Sequence, residues 1–129
     1  MRILLADDQR DVRSGLKILL EQQAHMDIVG EAAGTVELLD RAKALQPDLV
    51  LLDWELPGQG GKKIIPELRE YCPKLKIVAL SARPEAGKAA MSSGADGFVS
   101  KSDQPDRLLE IINEFVARGE GTCNLQTTN

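Results

Sequence analysis

Short aliphatic runs alternate with longer stretches in which apolar residues recur every three or four positions, and the alternation repeats five times along the chain. That pattern is the signature of successive βαβ units, in which helices cover both faces of a parallel sheet. The predicted strands run from Ile3 to Ala6, Asp27 to Glu31, Leu49 to Leu52, Ile77 to Leu80 and Gly97 to Val99. Leu49-Val50-Leu51-Leu52 is apolar without interruption, as a central strand buried on both faces should be.

Between the first two strands, Val12, Leu16, Leu19 and Leu20 fall at helical spacing, with Arg10, Arg13, Lys17 and Glu21 on the opposite side. Thr35 is placed to cap a second helix carrying Val36, Leu39, Ala42 and Leu45, which stops before Pro47. Gln104-Pro105 opens a last helix with Leu108, Ile111, Ile112 and Phe115 on its core face. In the third helix Pro66 sits inside Lys62 to Tyr71, and proline removes an internal hydrogen bond anywhere but the first turn, so its regular part is expected to begin near Ile64. The fourth, Glu85 to Ser92, is short, contains Gly87 and offers mostly alanines to the core, and is expected to be the most mobile element. From Gly119 onward a frayed tail is expected.

Composition narrows the class. A chain of 129 residues with 43% hydrophobic positions closes one core without staples. The division expected is one domain over residues 1–118, with 119–129 a flexible tail or the start of a linker. Cys72 and Cys123 fit no metal-ligand spacing and read as free thiols in a reducing, cytoplasmic setting. The apolar start ends at Asp7-Asp8, far short of a signal peptide or a membrane span. A net charge of -4 and 3% aromatic residues lack the basic surface and stacking groups that nucleic acid requires.

The chemistry gathers at strand ends, because an open parallel sheet binds ligands beyond the carboxyl ends of its strands. Asp7 and Asp8 follow the first strand, Asp53 the third, Ser81 the fourth, and Lys101 comes just after the fifth. Each alone is ordinary: an aspartate there is more often a turn residue or a cap, and a lone lysine is usually solvated. Together, three close carboxylates repel one another and call for a cation. Magnesium suits them, since it takes one or two carboxylates and completes its shell with water and phosphate oxygens. Asp53 is then the nucleophile for a phosphoryl group, with the Lys101 ammonium on one phosphoryl oxygen and the Ser81 hydroxyl on another.

With these residues in place, the chain resembles the receiver domains of two-component response regulators from about Arg2 to Ala117. The family's acidic pair looks like Asp7-Asp8, its phosphoacceptor like Asp53 in Leu51-Leu52-Asp53-Trp54-Glu55-Leu56-Pro57-Gly58, its switch hydroxyl like Ser81, and its lysine like Lys101. The segment Gly94-Ala95-Asp96-Gly97-Phe98-Val99-Ser100-Lys101 is similar to the NarL-type subfamily, and Phe98 matches the switch aromatic. The resemblance implies a doubly wound (βα)5 fold with the flavodoxin-like strand order 2-1-3-4-5. It also implies magnesium on Asp7, Asp8, Asp53 and the Glu55 backbone carbonyl, and transfer to Asp53 from a phosphohistidine on a sensor kinase or phosphotransfer protein. The domain would catalyse only its own phosphorylation and dephosphorylation, and so would not be an enzyme in the ordinary sense. Ser81 and Phe98 would move on phosphorylation and remodel the face made by the fourth helix, fifth strand and fifth helix. Such domains are monomers or phosphorylation-dependent homodimers, and stand alone or head a longer transcriptional regulator. The NarL-type features favour the longer form.

The chain also departs from the family. It has Lys101-Ser102 where many members have Lys-Pro, so the cis bond common there is not expected. Leu109 and Val116 lie off the main stripe of the last helix, where they could form a greasy edge for a partner or simply widen the core contact. Glu55 and Arg83 are expected to meet across the mouth of the site and restrict the attacking water, or else Glu55 faces solvent. The rivals are a pseudo-receiver that binds partners without phosphorylation, a phosphohydrolase and a flavin carrier. The complete set of site residues argues against the first, the want of a cap domain against the second, and Asp7-Asp8 in place of a phosphate loop against the third. His25 reads as a surface residue.

Overall fold

A computed structural model describes residues 1–118; the expected tail from Gly119, Cys123 included, lies outside the described residues. Five strands and five helices alternate: β1 Arg2–Ala6, α1 Arg10–Glu21, β2 Asp27–Ala32, α2 Thr35–Leu45, β3 Leu49–Asp53, α3 Gly61–Tyr71, β4 Lys76–Ser81, α4 Ala86–Ser92, β5 Gly97–Ser100 and α5 Pro105–Ala117. All strand pairings are parallel, in the order β2-β1-β3-β4-β5, so β3 is the middle strand and the sequence-based expectation holds.

Side-chain alternation along the strands builds two cores. Leu4, Val50, Leu52, Ile77 and Ala79 face the layer of α2, α3 and α4, where Leu38, Ile64, Ile65, Leu68 and Ala90 meet them. Ile3, Leu5, Leu49, Leu51, Val78 and Leu80 face α1 and α5, where Leu20, Leu108, Ile112 and Phe115 close the other side. Each fully buried aliphatic side chain contributes about 1.5–3 kcal/mol, which makes β3, buried at every residue, the spine of the fold. Leu109 and Val116 pack against the second core, so the wider contact accounts for them.

Three local expectations are corrected. Thr35 does not cap α2: Gly34 is the cap residue, and the buried Thr35 hydroxyl turns to accept Gln59 N–H at 3.0 Å. The amphipathic face of α2 is also shifted, with Leu38 buried and Val36 75% exposed. The third helix begins at Gly61 rather than near Ile64, and Pro66 stands inside it. Ile64, Ile65 and Leu68 on that helix are all buried, and their burial outweighs the single backbone bond that Pro66 forfeits. Among the described residues there is no cis peptide bond, as the Lys101-Ser102 departure led us to expect.

The amino-terminal ends of β4 and β5 are tied to α3. Arg69 donates to Leu75 O at 2.6 Å, Gly94 O at 2.7 Å and Asp96 Oδ2 at 2.8 Å, and that same Asp96 oxygen accepts Ile77 N–H at 2.9 Å. The opposite, carboxyl ends of the strands carry the site.

Candidate functional site

Asp53 and Ser81 are the last residues of β3 and β4 rather than the first residues beyond them, because the sheet register carries Asp53 alongside Leu80 and Ser81 alongside Ser100. Both are therefore buried, Asp53 at 3% exposure and Ser81 at 0%. Asp7 follows β1 and is equally buried, since its N–H continues the ladder to Ala32 O at 3.0 Å. Asp8 is exposed. Each of Asp7, Asp8 and Asp53 offers a carboxylate oxygen within 4.8 Å of the others.

The surroundings hold these groups in place. Gln9 N–H donates to Asp7 Oδ1 at 2.8 Å, and Arg13, itself paired with Glu31 at 2.8 Å, donates to the Asp7 carbonyl at 2.6 Å. Lys101 reaches in from beyond β5 and places Nζ 2.8 Å from Asp7 Oδ2 and 3.5 Å from Asp53 Oδ1. Glu55 N–H donates to Asp53 Oδ1 at 3.1 Å. Among the described residues, Asp53 Oδ2 takes no protein hydrogen bond.

Burial pushes the Asp53 carboxyl above its ordinary value, and the charges of Asp7 and Glu55 add to the rise; the Glu55 N–H and the Lys101 ammonium oppose it without cancelling it. Burial would lower Lys101, yet the hydrogen bond to Asp7 and the charge of Asp53 outweigh it, and its pKa stands above the ordinary value. One ammonium thus serves a cluster of three carboxylates, two of them buried. The remaining negative charge is what a divalent cation would neutralise, and an all-oxygen donor set with one open, solvent-facing side is the kind magnesium takes. The residues present fit that ion.

Glu55 and Arg83 meet as expected, with Arg83 Nη2 2.9 Å from Glu55 Oε2. What the sequence reading missed is that the Ser81 hydroxyl donates to the same carboxylate, at 3.0 and 2.9 Å. The register accounts for the approach: with Asp53 beside Leu80, the turn after β3 runs alongside the turn after β4. Phe98, on β5, is half-buried against the α2–α4 layer, with its ring over α4 at Gly87.

Two glycines shape the loop after Asp53. Gly58 has φ +114°, and a Cβ there would stand 2.0 Å from Thr35 Oγ1. Gly61 opens α3 directly under the Trp54 ring, where a Cβ would lie 2.2 Å from Cζ3. Trp54 is thereby folded down against the core beside α3, and its backbone N–H donates to Leu80 O at 2.7 Å.

Comparison with known proteins places this arrangement in context. A family model described as the response regulator receiver domain matches residues 3–113. The nitrate/nitrite response regulator protein NarL of Escherichia coli (strain K12) is 35% identical over 117 residues, which cover 89% of this chain and 54% of that protein. The chemotaxis protein CheY of Thermotoga maritima is 31% identical over 115 residues, covering 88% of this chain and 95% of that one. The crystal structure of a two-component response regulator of the LuxR family from Aurantimonas sp. SI85-9A1 superposes with a TM-score of 0.83 at 31% identity, over 97% of this chain and 90% of that one. The response regulator domain of Thermotoga maritima CheB gives 0.78 at 26% identity, over 88% and 94%. The chain spans about half the length of NarL and nearly all of CheY. Among the described residues, no helix is long and apolar enough to cross a membrane.

Proposed function

The chain belongs to the response regulator receiver domain family, and we propose that it is a phosphorylatable switch that takes a phosphoryl group onto Asp53 from a phosphohistidine on a sensor kinase or phosphotransfer protein. The observation that carries this reading is the buried Asp53 carboxylate, set within 4.8 Å of two further carboxylates with the Lys101 ammonium 3.5 Å away.

Asp53 Oδ1 is occupied by Glu55 N–H and faces Lys101, which leaves Oδ2 as the attacking atom. In the transfer a bond forms between Oδ2 and phosphorus, the phosphorus–nitrogen bond of the phosphohistidine breaks, and the imidazole leaves with its electron pair and takes up a proton. Asp7, Asp8, Asp53 and the Glu55 backbone carbonyl would hold magnesium, which when bound neutralises the phosphoryl oxygens as charge develops on them. Lys101 supplies a second, fixed positive charge, and Ser81 a hydroxyl proton for a phosphoryl oxygen. Phe98, half-buried beside α4, turns inward behind Ser81 as the switched face is remodelled. In this reading the domain covers residues 1–118, acts in the cytoplasm, catalyses only its own phosphorylation and dephosphorylation, and is monomeric or dimerises once phosphorylated. The chain spans about half the length of NarL, and in this reading it would be the receiver portion of a longer transcriptional regulator, with any DNA-binding function outside it.

Trp54 is the single tryptophan and adjoins the acceptor, so its fluorescence reports on the site. Magnesium, and then acetyl phosphate, should each change the signal, and the second change should vanish in Asp53→Asn. A silent titration with no phosphoryl group on intact-mass analysis would instead support a phosphorylation-independent interaction module.

The Glu55–Arg83 pair narrows the solvent side of the site. Replacing Arg83 by Ala should therefore speed loss of the phosphoryl group by about threefold to tenfold, an effect of access for water rather than of the pair's own energy. The decay of phosphorylated protein after removal of the donor measures it, and an unchanged rate would refute a shielding role for the pair.

A further inference from the structure

The Ser81 hydroxyl has one proton to donate, and here that proton is directed at the Glu55 carboxylate, 3.0 Å from Oε1 and 2.9 Å from Oε2. Its oxygen in turn accepts Arg83 N–H at 3.0 Å. Ser81 is fully buried, so both capacities of its hydroxyl are satisfied, which is the condition a buried polar group must meet. In this conformation the hydroxyl has nothing left to give a ligand on Asp53.

We propose that Glu55 is a latch on the switch hydroxyl: its carboxylate competes with a phosphoryl group on Asp53 for the Ser81 proton, and so sets how readily the domain leaves its unphosphorylated conformation. The proposal rests on the phosphoacceptor role of Asp53 set out above. Two contacts could give Glu55 such a role, and their relative strengths decide between them. The ion pair with Arg83 joins side chains 41% and 58% exposed, where solvent screening leaves little net energy. The bond from Ser81 joins a fully buried hydroxyl to a charged acceptor, the stronger class of hydrogen bond. Ser81 therefore carries the latch, and Arg83 is a positioning residue that holds Glu55 over it from the solvent side. The main chain of Glu55 meanwhile donates to Asp53 Oδ1 at 3.1 Å, so one residue touches the acceptor through its backbone and the switch through its side chain. When the phosphoryl group arrives, the Ser81 proton exchanges a carboxylate acceptor for a phosphoryl oxygen, and the net cost of switching is the difference between the two bonds.

A thermodynamic cycle tests this with beryllofluoride, a phosphoryl mimic, bound in the presence of magnesium and followed by titration calorimetry on the full chain. Glu55→Ala, Ser81→Ala, the double variant and Glu55→Gln are compared with wild type. With Ser81 present, Glu55→Ala should bind the mimic roughly tenfold more tightly, equivalent to ~1.4 kcal/mol. In the Ser81→Ala background most of that gain should disappear, because no hydroxyl remains to be released. Glu55→Gln, which removes the charge but keeps a weaker acceptor, should fall between wild type and Glu55→Ala. An equal gain in both backgrounds would mean that Glu55 acts only through its charge, and no gain in either would mean that it does not restrain Ser81. Either result overturns the latch alone. A wild-type protein that binds no beryllofluoride overturns the phosphoacceptor reading and the latch with it.

Discussion

Replacing Asp53 by Asn is expected to abolish phosphoryl uptake altogether while leaving the metal-free protein at least as stable as wild type. The first half follows from chemistry. An amide is no nucleophile toward phosphorus at neutral pH, and the neighbouring carboxylates cannot substitute: Asp7 is committed to Gln9 N–H and Lys101, and Asp8 is exposed beyond the end of β1. Intact-mass analysis after acetyl phosphate treatment should show the unmodified mass only. The second half follows from the electrostatics. Asp53 titrates above its ordinary range because burial and the charges of Asp7 and Glu55 disfavour its anion. A group whose folded pKa is raised contributes stability that is present below its unfolded pKa and lost as pH rises through the folded value. At neutral pH the ionised Asp53 is thus a net liability to the apo fold. The asparagine variant should equal or exceed wild type in thermal midpoint at pH 7, and its relative advantage should shrink as pH falls through the carboxylate range. Magnesium should reverse the order, since it rewards the carboxylate and not the amide. A variant markedly less stable than wild type in chelator at pH 7 would contradict this account of the site.

The second large effect is structural. Gly58→Ala should destabilise the fold by about 3 kcal/mol, combining the penalty for a side chain at positive φ with a steric conflict against a buried neighbour. The added Cβ would stand 2.0 Å from Thr35 Oγ1, closer than any tolerated contact, and Thr35 is only 3% exposed and cannot swing aside. Its hydroxyl would also lose its bond from Gln59 N–H. Urea denaturation measures the change, and a loss below ~1 kcal/mol would show that the loop rebuilds itself. Because this loop hangs from the end of β3, phosphoryl uptake should fall along with stability.

How much of this could be read from the sequence depends on the distance over which each feature is decided. The strands and the convergence of Asp7, Asp8, Asp53, Ser81 and Lys101 were legible, because hydrophobic period and strand-end position are local and the parallel fold does the rest. The strand ends themselves were read one residue short at Asp53 and Ser81, since ladder pairing, which a sequence does not display, extends β3 and β4 to include them. Thr35 carried a convincing capping signal, yet its hydroxyl is claimed by Gln59, 24 residues away. Pro66 argued for a late helix start, and burial of Ile64 and Ile65 outweighed it. The Glu55–Arg83 approach could be anticipated from residues two beyond the strand ends, whereas the Ser81–Glu55 bond needed side-chain geometry. Trp54 over Gly61 was likewise invisible until the loop was folded.

The tie among Arg69, Asp96 and Ile77 has a mechanical meaning. β5 is four residues long, lies at the edge of the sheet, and is clamped at its entry by Asp96. Its far end is held as well: Ser100 stands beside Ser81 in the ladder, Lys101 N–H donates to Ser81 O at 2.8 Å, and Lys101 Nζ sits 2.8 Å from Asp7 Oδ2. An edge strand pinned at both ends is a batten rather than a hinged flap. Whatever Ser81 does is therefore passed to the outer edge of the molecule through backbone bonds, with no slippage in the register beneath.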